Sequence, residues 1–221
     1  MTPWEEKAGQ SLDILAETAR RFDPSRMAVA WSGGKDSMVL LHLIVRAWGR
    51  VPFPVLFLDT GVKFPEIYEF KERISRDWGL DMRVVKNEEA AQSIAIGKDK
   101  ELCCRLLKTT PLKEAVTRYG LLALITGVRA DENPSRGGET AFSPRRDPSH
   151  LRVHPILPFT EADVWDYIHV HDVPFCSLYS QGYRSLGCMP CTEKSKGNDE
   201  RSGRDPEKER LMGSLRDLGY F

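Results

Sequence analysis

Short apolar runs alternate with longer amphipathic segments along the first 126 residues. The runs are rich in aliphatic and β-branched residues and predict strands, whereas the segments between them have the periodicity of helices. The predicted strands are residues 27–31, 55–58, 82–85 and 121–126, and the predicted helices are residues 38–48, 65–78 and 111–119. The strands lack polar alternation, as expected when both faces of a parallel sheet are covered. The sequence therefore predicts an α/β fold with a doubly wound, mostly parallel sheet flanked by helices.

The second half of the chain has a less regular pattern. Residues 131–149 are rich in Gly, Pro, Ser and Arg, which predicts a long loop. Thr160 begins a capping-box pattern that opens a further helix. From Lys194 the chain becomes highly charged, so we expect a mobile stretch followed by a docked amphipathic end. The predicted organisation is a main domain in residues 1–195 and a charged tail in residues 196–221.

Composition limits the classes of function. The 221 residues are 41% hydrophobic with a formal net charge of zero, which suits one large domain. A dedicated nucleic-acid-binding protein would be strongly basic. No apolar run approaches the roughly 20 residues that span a bilayer, and the N-terminal residues are acidic and polar, unlike a secretory signal. We therefore expect a cytoplasmic protein, whose five cysteines suggest metal or redox chemistry rather than disulfides.

The segment SGGKDS, residues 32–37, lies between a predicted strand and a buried helix. A turn in that position exposes the free N–H groups of a helix N-terminus, where the helix dipole favours negative charge. Gly33 and Gly34 would let the backbone approach a phosphate, and Ser32 and Ser37 would add hydroxyl donors. The segment fits neither the Walker pattern nor GxGxxG. It predicts a phosphate site of another kind.

SGGKDS resembles the pyrophosphate-binding loop of the PP-loop adenine nucleotide α-hydrolase superfamily. Within it, most of the chain resembles the adenylyl-sulfate and phosphoadenylyl-sulfate reductases and the small subunit of sulfate adenylyltransferase. The resemblance implies a fold of that superfamily and action at the α-phosphate of ATP or a related adenylyl compound. Residues 1–195 would then be the nucleotide-binding catalytic domain. Lys35 and Asp36 become candidate catalytic residues, with Lys35 neutralising charge at the α-phosphate.

The segment LDTGVKFPEIYEF, residues 58–70, resembles the part of those enzymes that follows the second strand. Asp59, Thr60 and Gly61 would lie at the carboxyl end of that strand, where open α/β sheets bind ligands. We therefore expect all three to contribute to nucleotide binding.

The segment TGVRADENPSR, residues 126–136, resembles the arginine-bearing loop of the same enzymes. Arg129 and Arg136 carry planar guanidinium groups that suit phosphate or sulfate oxygens, so both are candidate catalytic residues. Gly127 is a further candidate for nucleotide binding.

Four cysteines form two pairs, CC and CMPC, that fit a four-thiolate metal site. They are Cys103, Cys104, Cys188 and Cys191. Thiolates alone suit either zinc or iron, but the pattern resembles the ligand set of iron–sulfur adenylyl-sulfate reductases and so implies a [4Fe–4S] cluster. The cluster would pin two distant parts of the chain together rather than carry electrons. Arg105 or Lys108 could lie between its negative charge and the nucleotide.

The resemblance to the reductases breaks near the C-terminus. Those enzymes carry a nucleophilic cysteine in a Glu-Cys-Gly-Leu-His segment, whereas this sequence ends MGSLRDLGYF, closer to the sulfate adenylyltransferase small subunit. Cys176 is the remaining thiol, and we expect it to be half-buried without a catalytic role. Covalent reduction would therefore lack its first step.

Three functions stay open. The first is Mg²⁺-assisted adenylyl transfer from ATP with pyrophosphate release, either to sulfate or to a substrate about to receive sulfur, as in tRNA thiolation or DNA phosphorothioation. The second is a reductase of adenylyl sulfate or phosphoadenylyl sulfate that uses Cys176 or a thiol of a partner. The third is a non-catalytic nucleotide-binding subunit. The corresponding protein partners would be a GTPase subunit, a cysteine desulfurase or thioredoxin; a nucleic acid would enter only as a sulfur acceptor, and an oligomer is compatible with the sequence.

Overall fold

A six-stranded sheet forms the centre of the computed structural model, which describes residues 2–219. The strands are β1 (Met27–Trp31), β2 (Val55–Leu58), β3 (Met82–Val85), β4 (Ala123–Thr126), β5 (Phe142–Arg146) and β6 (Ser149–Val153). They lie in the order β3-β2-β1-β4-β6-β5, and only the β5–β6 pair is antiparallel. The predicted doubly wound, mostly parallel sheet flanked by helices is confirmed.

The strand order reverses direction at β1, since β2 and β3 lie on one side of it and β4 and β6 on the other. Open α/β sheets bind ligands beyond the carboxyl ends of the strands at such a reversal. The segments that follow β1 and β4 meet there, and they are the two that the sequence assigned to phosphate binding. The topology therefore places residues 32–37 beside residues 127–136.

Nine helices accompany the sheet in the described part of the chain. They are α1 (Pro3–Arg21), α2 (Lys35–Trp48), α3 (Pro65–Asp77), α4 (Glu88–Ser93), α5 (Lys100–Cys104), α6 (Thr110–Arg118), α7 (Glu161–Val170), α8 (Pro206–Arg210) and α9 (Met212–Asp217). Helix α2 begins at Lys35, ahead of the predicted residue 38, so the end of the SGGKDS segment forms its first turn. The capping box of α7 is present, with Thr160 and Asp163 each bonding the backbone of the other.

Helices cover both faces of the sheet. Helices α1, α2, α3 and α7 pack on one face in the larger hydrophobic cluster, and α6 packs on the other face against Ala28, Leu56 and Leu124. Burial on both sides explains why the strands carry no polar alternation. Helix α1 was not predicted; it starts with a capping box of Thr2 and Glu5 and buries its apolar side in the larger cluster.

The long loop predicted for residues 131–149 is wrong in part. The chain instead forms β5 at residues 142–146, and β6 begins at Ser149. Strand β5 is the edge of the sheet, where Pro144 is tolerated because an edge strand leaves half of its backbone groups unpaired. Exposed charged residues such as Arg146 also protect an edge strand from further pairing. These residues hide the strand pattern in the sequence.

The segment after Lys194 folds back onto the domain. Thr192 pairs with Arg204 in an isolated antiparallel bridge, and α9 buries Met212 and Leu215 against Cys104 and Val128. The division at residue 195 stays a prediction, and the last two residues of the expected docked end, 220 and 221, lie outside the described residues. No helix within residues 2–219 combines the length and apolar character needed to cross a bilayer.

Candidate active site

A cavity of about 230 Å³ opens beyond the carboxyl ends of β1, β2 and β4. One part of its lining is apolar and belongs to the α6 face of the sheet: Ala30, Leu56, Leu58, Val85 and Leu112. Another part is cationic: Lys63, Lys108, Arg136, Arg152, Arg201 and Arg204. The cavity therefore combines a surface for a flat apolar ring with charges for an anion.

The SGGKDS segment contributes Ser32, Gly34, Asp36 and Ser37 to the lining. Its hydroxyl groups are held close together, with the two serine Oγ atoms 3.2 Å apart. The N–H of Gly34 donates to Ser32 Oγ at 3.2 Å, and the Ser37 hydroxyl donates to the Gly34 carbonyl at 2.8 Å. The first turn of α2 thus presents its backbone to the cavity, the arrangement that binds phosphate in other proteins.

Two glycines are required by the backbone geometry around this segment. Gly33 has a φ of 84°, and a Cβ atom there would lie 2.9 Å from Cγ2 of Ile67. At Gly127, which lines the cavity, a Cβ atom would lie 3.1 Å from the backbone nitrogen of Ser37. Glycine at residue 127 lets the end of β4 approach the first turn of α2.

Lys35 and Arg129 lie in a buried ion network rather than in the lining of the cavity. Arg129 donates through Nε to Asp36 Oδ1 and through Nη2 to Glu200 Oε2, both at 2.5 Å. The ammonium group of Lys35 bonds the other oxygen of Glu200 and donates to the Arg184 carbonyl at 3.1 Å. Both predicted catalytic cations are therefore neutralised by nearby carboxylates.

Electrostatics keeps these groups charged despite their burial. Burial lowers the pKa of Lys35, but Asp36, Tyr179 and Glu200 outweigh it, and the net pKa lies above its usual range. The pKa of Arg129 is likewise raised, since Asp36 and Glu200 outweigh burial. Glu200 and Tyr179 were not predicted as site residues. Tyr179 lines the cavity, and its hydroxyl accepts a hydrogen bond from the Lys35 backbone N–H at 2.8 Å.

Arg204 lines the cavity and has two buried hydrogen-bond donors without a partner in the described part of the chain. Its side chain is only 7% exposed, and its Nε and Nη1 atoms have no hydrogen-bond partner among residues 2–219. The guanidinium lies so close to Gly187 that any side chain at that residue would overlap it. A buried guanidinium with open donors suits an anionic ligand. Arg204 was not predicted as a site residue, because it lies in a stretch where charged residues predominate and no periodicity marks it.

Two other arginines of the cavity, Arg136 and Arg201, already have carboxylate partners, whereas Arg152 donates to the Gly219 carbonyl at 3.0 Å. Arg136, a predicted catalytic residue, lines the cavity and is paired with Glu132. Arg201 is paired with the same Glu132 and with Glu209. The carboxylates of Glu132 and Glu209 partly neutralise Arg136 and Arg201. Arg204 is therefore a stronger candidate than these two for direct contact with an anion.

The segment after β2 contributes Lys63 and Ile67 to the lining of this cavity, but not Asp59, Thr60 or Gly61. Asp59 Oδ1 accepts hydrogen bonds from the Gly61 N–H at 2.8 Å and from the Tyr68 hydroxyl at 2.6 Å. Thr60 places its Oγ1 3.3 Å from Sγ of Cys188. A nucleotide-binding role for Asp59, Thr60 and Gly61 therefore stays a prediction, and the structure joins Thr60 to the cysteine pairs instead.

The four predicted metal ligands line a second, smaller cavity. They are Cys103, Cys104, Cys188 and Cys191. Lys100, Lys108 and Lys208 line the same cavity, and Lys108 also lines the larger one. In residues 2–219, no group of three or more His, Cys, Asp or Glu side chains stands ready to hold a metal ion. The fold thus brings the two cysteine pairs together around one space with lysine neighbours.

The pKa values of two cysteine thiols, Cys188 and Cys176, are shifted in opposite directions. Burial raises the pKa of Cys188, but Lys108, Lys208, Lys63 and the Thr60 hydroxyl lower it to about 6. Cys176 is fully buried, and burial raises the pKa of its thiol. Since a thiolate is the nucleophilic form, the structure gives Cys176 none of the surroundings of a reactive cysteine. The expected half-buried thiol is therefore wrong in degree, and the lack of a catalytic role stays a prediction.

Comparison with known proteins identifies this arrangement of sheet, loop and cavity. Residues 26–194 match the phosphoadenosine phosphosulfate reductase domain. The chain belongs to that family. The resemblance to sulfonucleotide reductases and to the sulfate adenylyltransferase small subunit is thereby confirmed, and with it the assignment to a family of enzymes that act on adenine nucleotides in sulfur metabolism.

Curated relatives of both kinds cover most of the chain. Sulfate adenylyltransferase subunit 2 of Proteus mirabilis is 33% identical, over 84% of this chain and 70% of the relative. Adenosine 5′-phosphosulfate reductase of Halalkalibacterium halodurans is 32% identical, over 88% of this chain and 86% of the relative. The two levels of identity are too similar to separate the two activities.

Solved structures share the fold. Phosphoadenylyl-sulfate reductase from Candida auris, in a phosphate complex, superposes with a TM-score of 0.69 over 81% of this chain and 88% of that chain, at 20% identity. FMN adenylyltransferase of Candida glabrata, with FMN and an ATP analogue, gives a TM-score of 0.72 over 89% of this chain and 68% of that one, also at 20% identity.

Replacing Gly33 by alanine tests the phosphate loop, with Gly49→Ala as the matched control. Both glycines have positive φ, 84° and 72°, but only a Cβ at residue 33 has a close neighbour. Both variants should lose about 1–2 kcal/mol of stability in thermal denaturation, since alanine disfavours that conformation. Only Gly33→Ala should also weaken ATP binding, by about tenfold, in calorimetric titration. Equal ATP affinity in the two variants would contradict the assignment of the loop.

Proposed function

We propose that the protein transfers the adenylyl group of ATP to an acceptor and releases pyrophosphate. The observation that carries the proposal is the pairing of the SGGKDS backbone with the open donors of Arg204 in one cavity. Binding of a triphosphate would use both the SGGKDS backbone and Arg204, because negative charge is spread over several phosphate oxygens during attack at the α-phosphate. The apolar part of the cavity then suits the adenine ring.

Each group of residues has a distinct part in this proposal. The N–H groups of the first turn of α2, other than that of Lys35, which donates to Tyr179, hold the leaving pyrophosphate together with the Ser32 hydroxyl. Arg204 donates to phosphoryl oxygens at the cavity wall. Lys35 and Arg129 lie behind the wall, where they hold Asp36 in place. Asp36 lines the cavity and is the carboxylate that fits Mg²⁺, which would neutralise phosphate charge when bound.

The acceptor and partner follow from the relatives as proposals only. Relatives named sulfate adenylyltransferase subunit 2 support sulfate as acceptor and a second subunit as partner. The 86% coverage of an adenosine 5′-phosphosulfate reductase keeps reduction with a partner's thiol as the second candidate. A nucleophilic role for Cys176 has no support, because that thiol is fully buried. The cytoplasmic location stays a prediction.

We further propose that Cys103, Cys104, Cys188 and Cys191 hold a [4Fe–4S] cluster. Each thiolate of such a cluster binds a different iron, so the ligands lie further apart than around a single ion. Four cysteines around one cavity fit that requirement, and the lysines beside them fit the negative charge of a cluster. When bound, the cluster would supply a fixed negative charge and a rigid link between the two cysteine segments.

Product analysis tests the proposed reaction. Protein purified without oxygen is given ATP and Mg²⁺ with sulfate in one vessel, and adenylyl sulfate with reduced thioredoxin in another. We expect pyrophosphate in the first vessel and no sulfite in the second. Sulfite and AMP without pyrophosphate would replace the proposal by the reductase reading.

Arginine variants connect that reaction to the cavity. Arg204→Ala should lower the rate of pyrophosphate release by about 100-fold, the usual order for removing a donor to a charged transition state. Arg210→Ala is the control, because Arg210 lies in the same C-terminal segment but is exposed. Equal rates in the two variants would remove Arg204 from the mechanism.

Metal analysis tests the cysteine site independently of activity. Iron and acid-labile sulfide are measured in the wild type, in Cys188→Ser and in Cys176→Ser. We expect about four irons per wild-type chain, loss of both iron and sulfide in Cys188→Ser, and retention in Cys176→Ser. Zinc without sulfide, or iron that survives Cys188→Ser, would contradict the cluster.

A further inference from the structure

A buried row of three polar side chains leads from the cavity into the sheet. Thr126, at the end of β4, lines the cavity and places its Oγ1 2.6 Å from Nδ1 of His154. The Nε2 atom of His154 lies 3.3 Å from Oε2 of Glu139. His154 is fully buried, and Thr126 and Glu139 are 7% and 8% exposed. None of the three was predicted as a site residue.

The carboxylate at the far end of this row is ionised. Arg145 donates to Glu139 Oε2 at 2.9 Å, and Arg216 donates to Oε1 at 3.0 Å. Burial raises the pKa of Glu139, but the nearby His154, Arg145 and Ser143 outweigh it and bring the pKa far below its usual range. Glu139 is therefore a fixed negative charge at the edge of the sheet.

That charge selects one tautomer of His154. Its Nε2 and the Oε2 of Glu139 are 3.3 Å apart without the alignment of a hydrogen bond, but at that distance the negative charge repels a lone pair on Nε2 and attracts an N–H. Burial, together with Arg152 and Arg145, lowers the pKa of His154 even though Glu139 raises it. The ring is thus neutral, its proton is on Nε2, and Nδ1 keeps a lone pair.

The tautomer in turn fixes the direction of the threonine hydroxyl. Since Nδ1 can only accept, the hydrogen of Thr126 Oγ1 is committed to His154. On the side of the cavity, Thr126 Oγ1 can then only accept a hydrogen bond. A phosphate oxygen is itself an acceptor and gains nothing from such a group.

We propose that Thr126 accepts a hydrogen bond from the nucleoside part of the bound nucleotide, and that His154 and Glu139 are positioning residues that keep it an acceptor. Thr126 pairs with Ala30 in the sheet, and Ala30 belongs to the apolar part of the cavity. The donors of an adenine nucleoside are the 6-amino group and the 2′- and 3′-hydroxyls of the ribose. This inference rests on the proposed function, because it needs an adenine nucleotide in the cavity.

Binding of four nucleotides to three proteins tests the proposal. ATP, 2′-deoxy-ATP, 3′-deoxy-ATP and inosine triphosphate are titrated into the full-length wild type, Thr126→Ser and Thr126→Val. We expect one analogue to bind the wild type about tenfold more weakly than ATP, the effect of one lost hydrogen bond. Thr126→Ser should keep the tenfold difference in affinity between ATP and that analogue. Thr126→Val should reduce the difference to less than twofold. The analogue that loses affinity identifies the donor.

The outcomes separate this inference from the proposed function. If ATP is bound and pyrophosphate is released, but Thr126→Val leaves every ratio unchanged, the inference alone is wrong. If the wild type binds no nucleotide, both are wrong.

Nitrogen NMR of the histidine side chains gives a second readout that does not depend on activity. The His154 signal, assigned through His154→Phe, should show a neutral ring protonated on Nε2 at neutral pH. A ring protonated on Nδ1, or a charged ring, would overturn the proposal even if the variants fold normally.

Discussion

The buried ion pairs of Arg129 are the interaction on which the rest of the active site depends. This side chain has no exposed surface, so its charge must be balanced inside the protein. Asp36 and Glu200 provide the balance from two other parts of the chain. Leaving such a buried charge without its partner costs about 3–5 kcal/mol. The first turn of α2, the loop after β4 and the C-terminal segment are therefore locked together.

This lock explains how a charged C-terminal segment becomes part of a binding site. Glu200 anchors the segment at the network, and Arg204, a few residues later, reaches the cavity with donors still open. The two residues have different parts. The Glu200 carboxylate neutralises the buried cations, whereas Arg204 adds a positive charge to the wall of the cavity. The cavity thus has three chemically different parts: a helix N-terminus, an arginine wall and an apolar surface.

Sequence patterns were sufficient where the information is local. Strands β1, β2 and β3 were predicted with their observed bounds, because β1 and β2 are continuous apolar runs and β3 is apolar except for Arg83. The glycines and serines of SGGKDS predicted a phosphate loop from a local pattern as well, and the structure places that segment at the cavity. Strand β5 was missed because its proline and arginines are acceptable only at an edge, which is a property of the whole sheet. Glu200 and the Thr126–His154–Glu139 row depend on contacts between distant residues, and no spacing in the sequence reports them.

The central claim is that an adenine nucleotide binds with its phosphates between residues 32–37 and Arg204. A crystal structure of the protein with a non-hydrolysable α,β-methylene analogue of ATP tests it most directly. The account predicts phosphate oxygens on the N–H groups of the first turn of α2, at least one of them bonded to Arg204, with the adenine ring against Leu56 and Leu112. Phosphates bound away from that turn, or an adenine ring against Arg204, would contradict it.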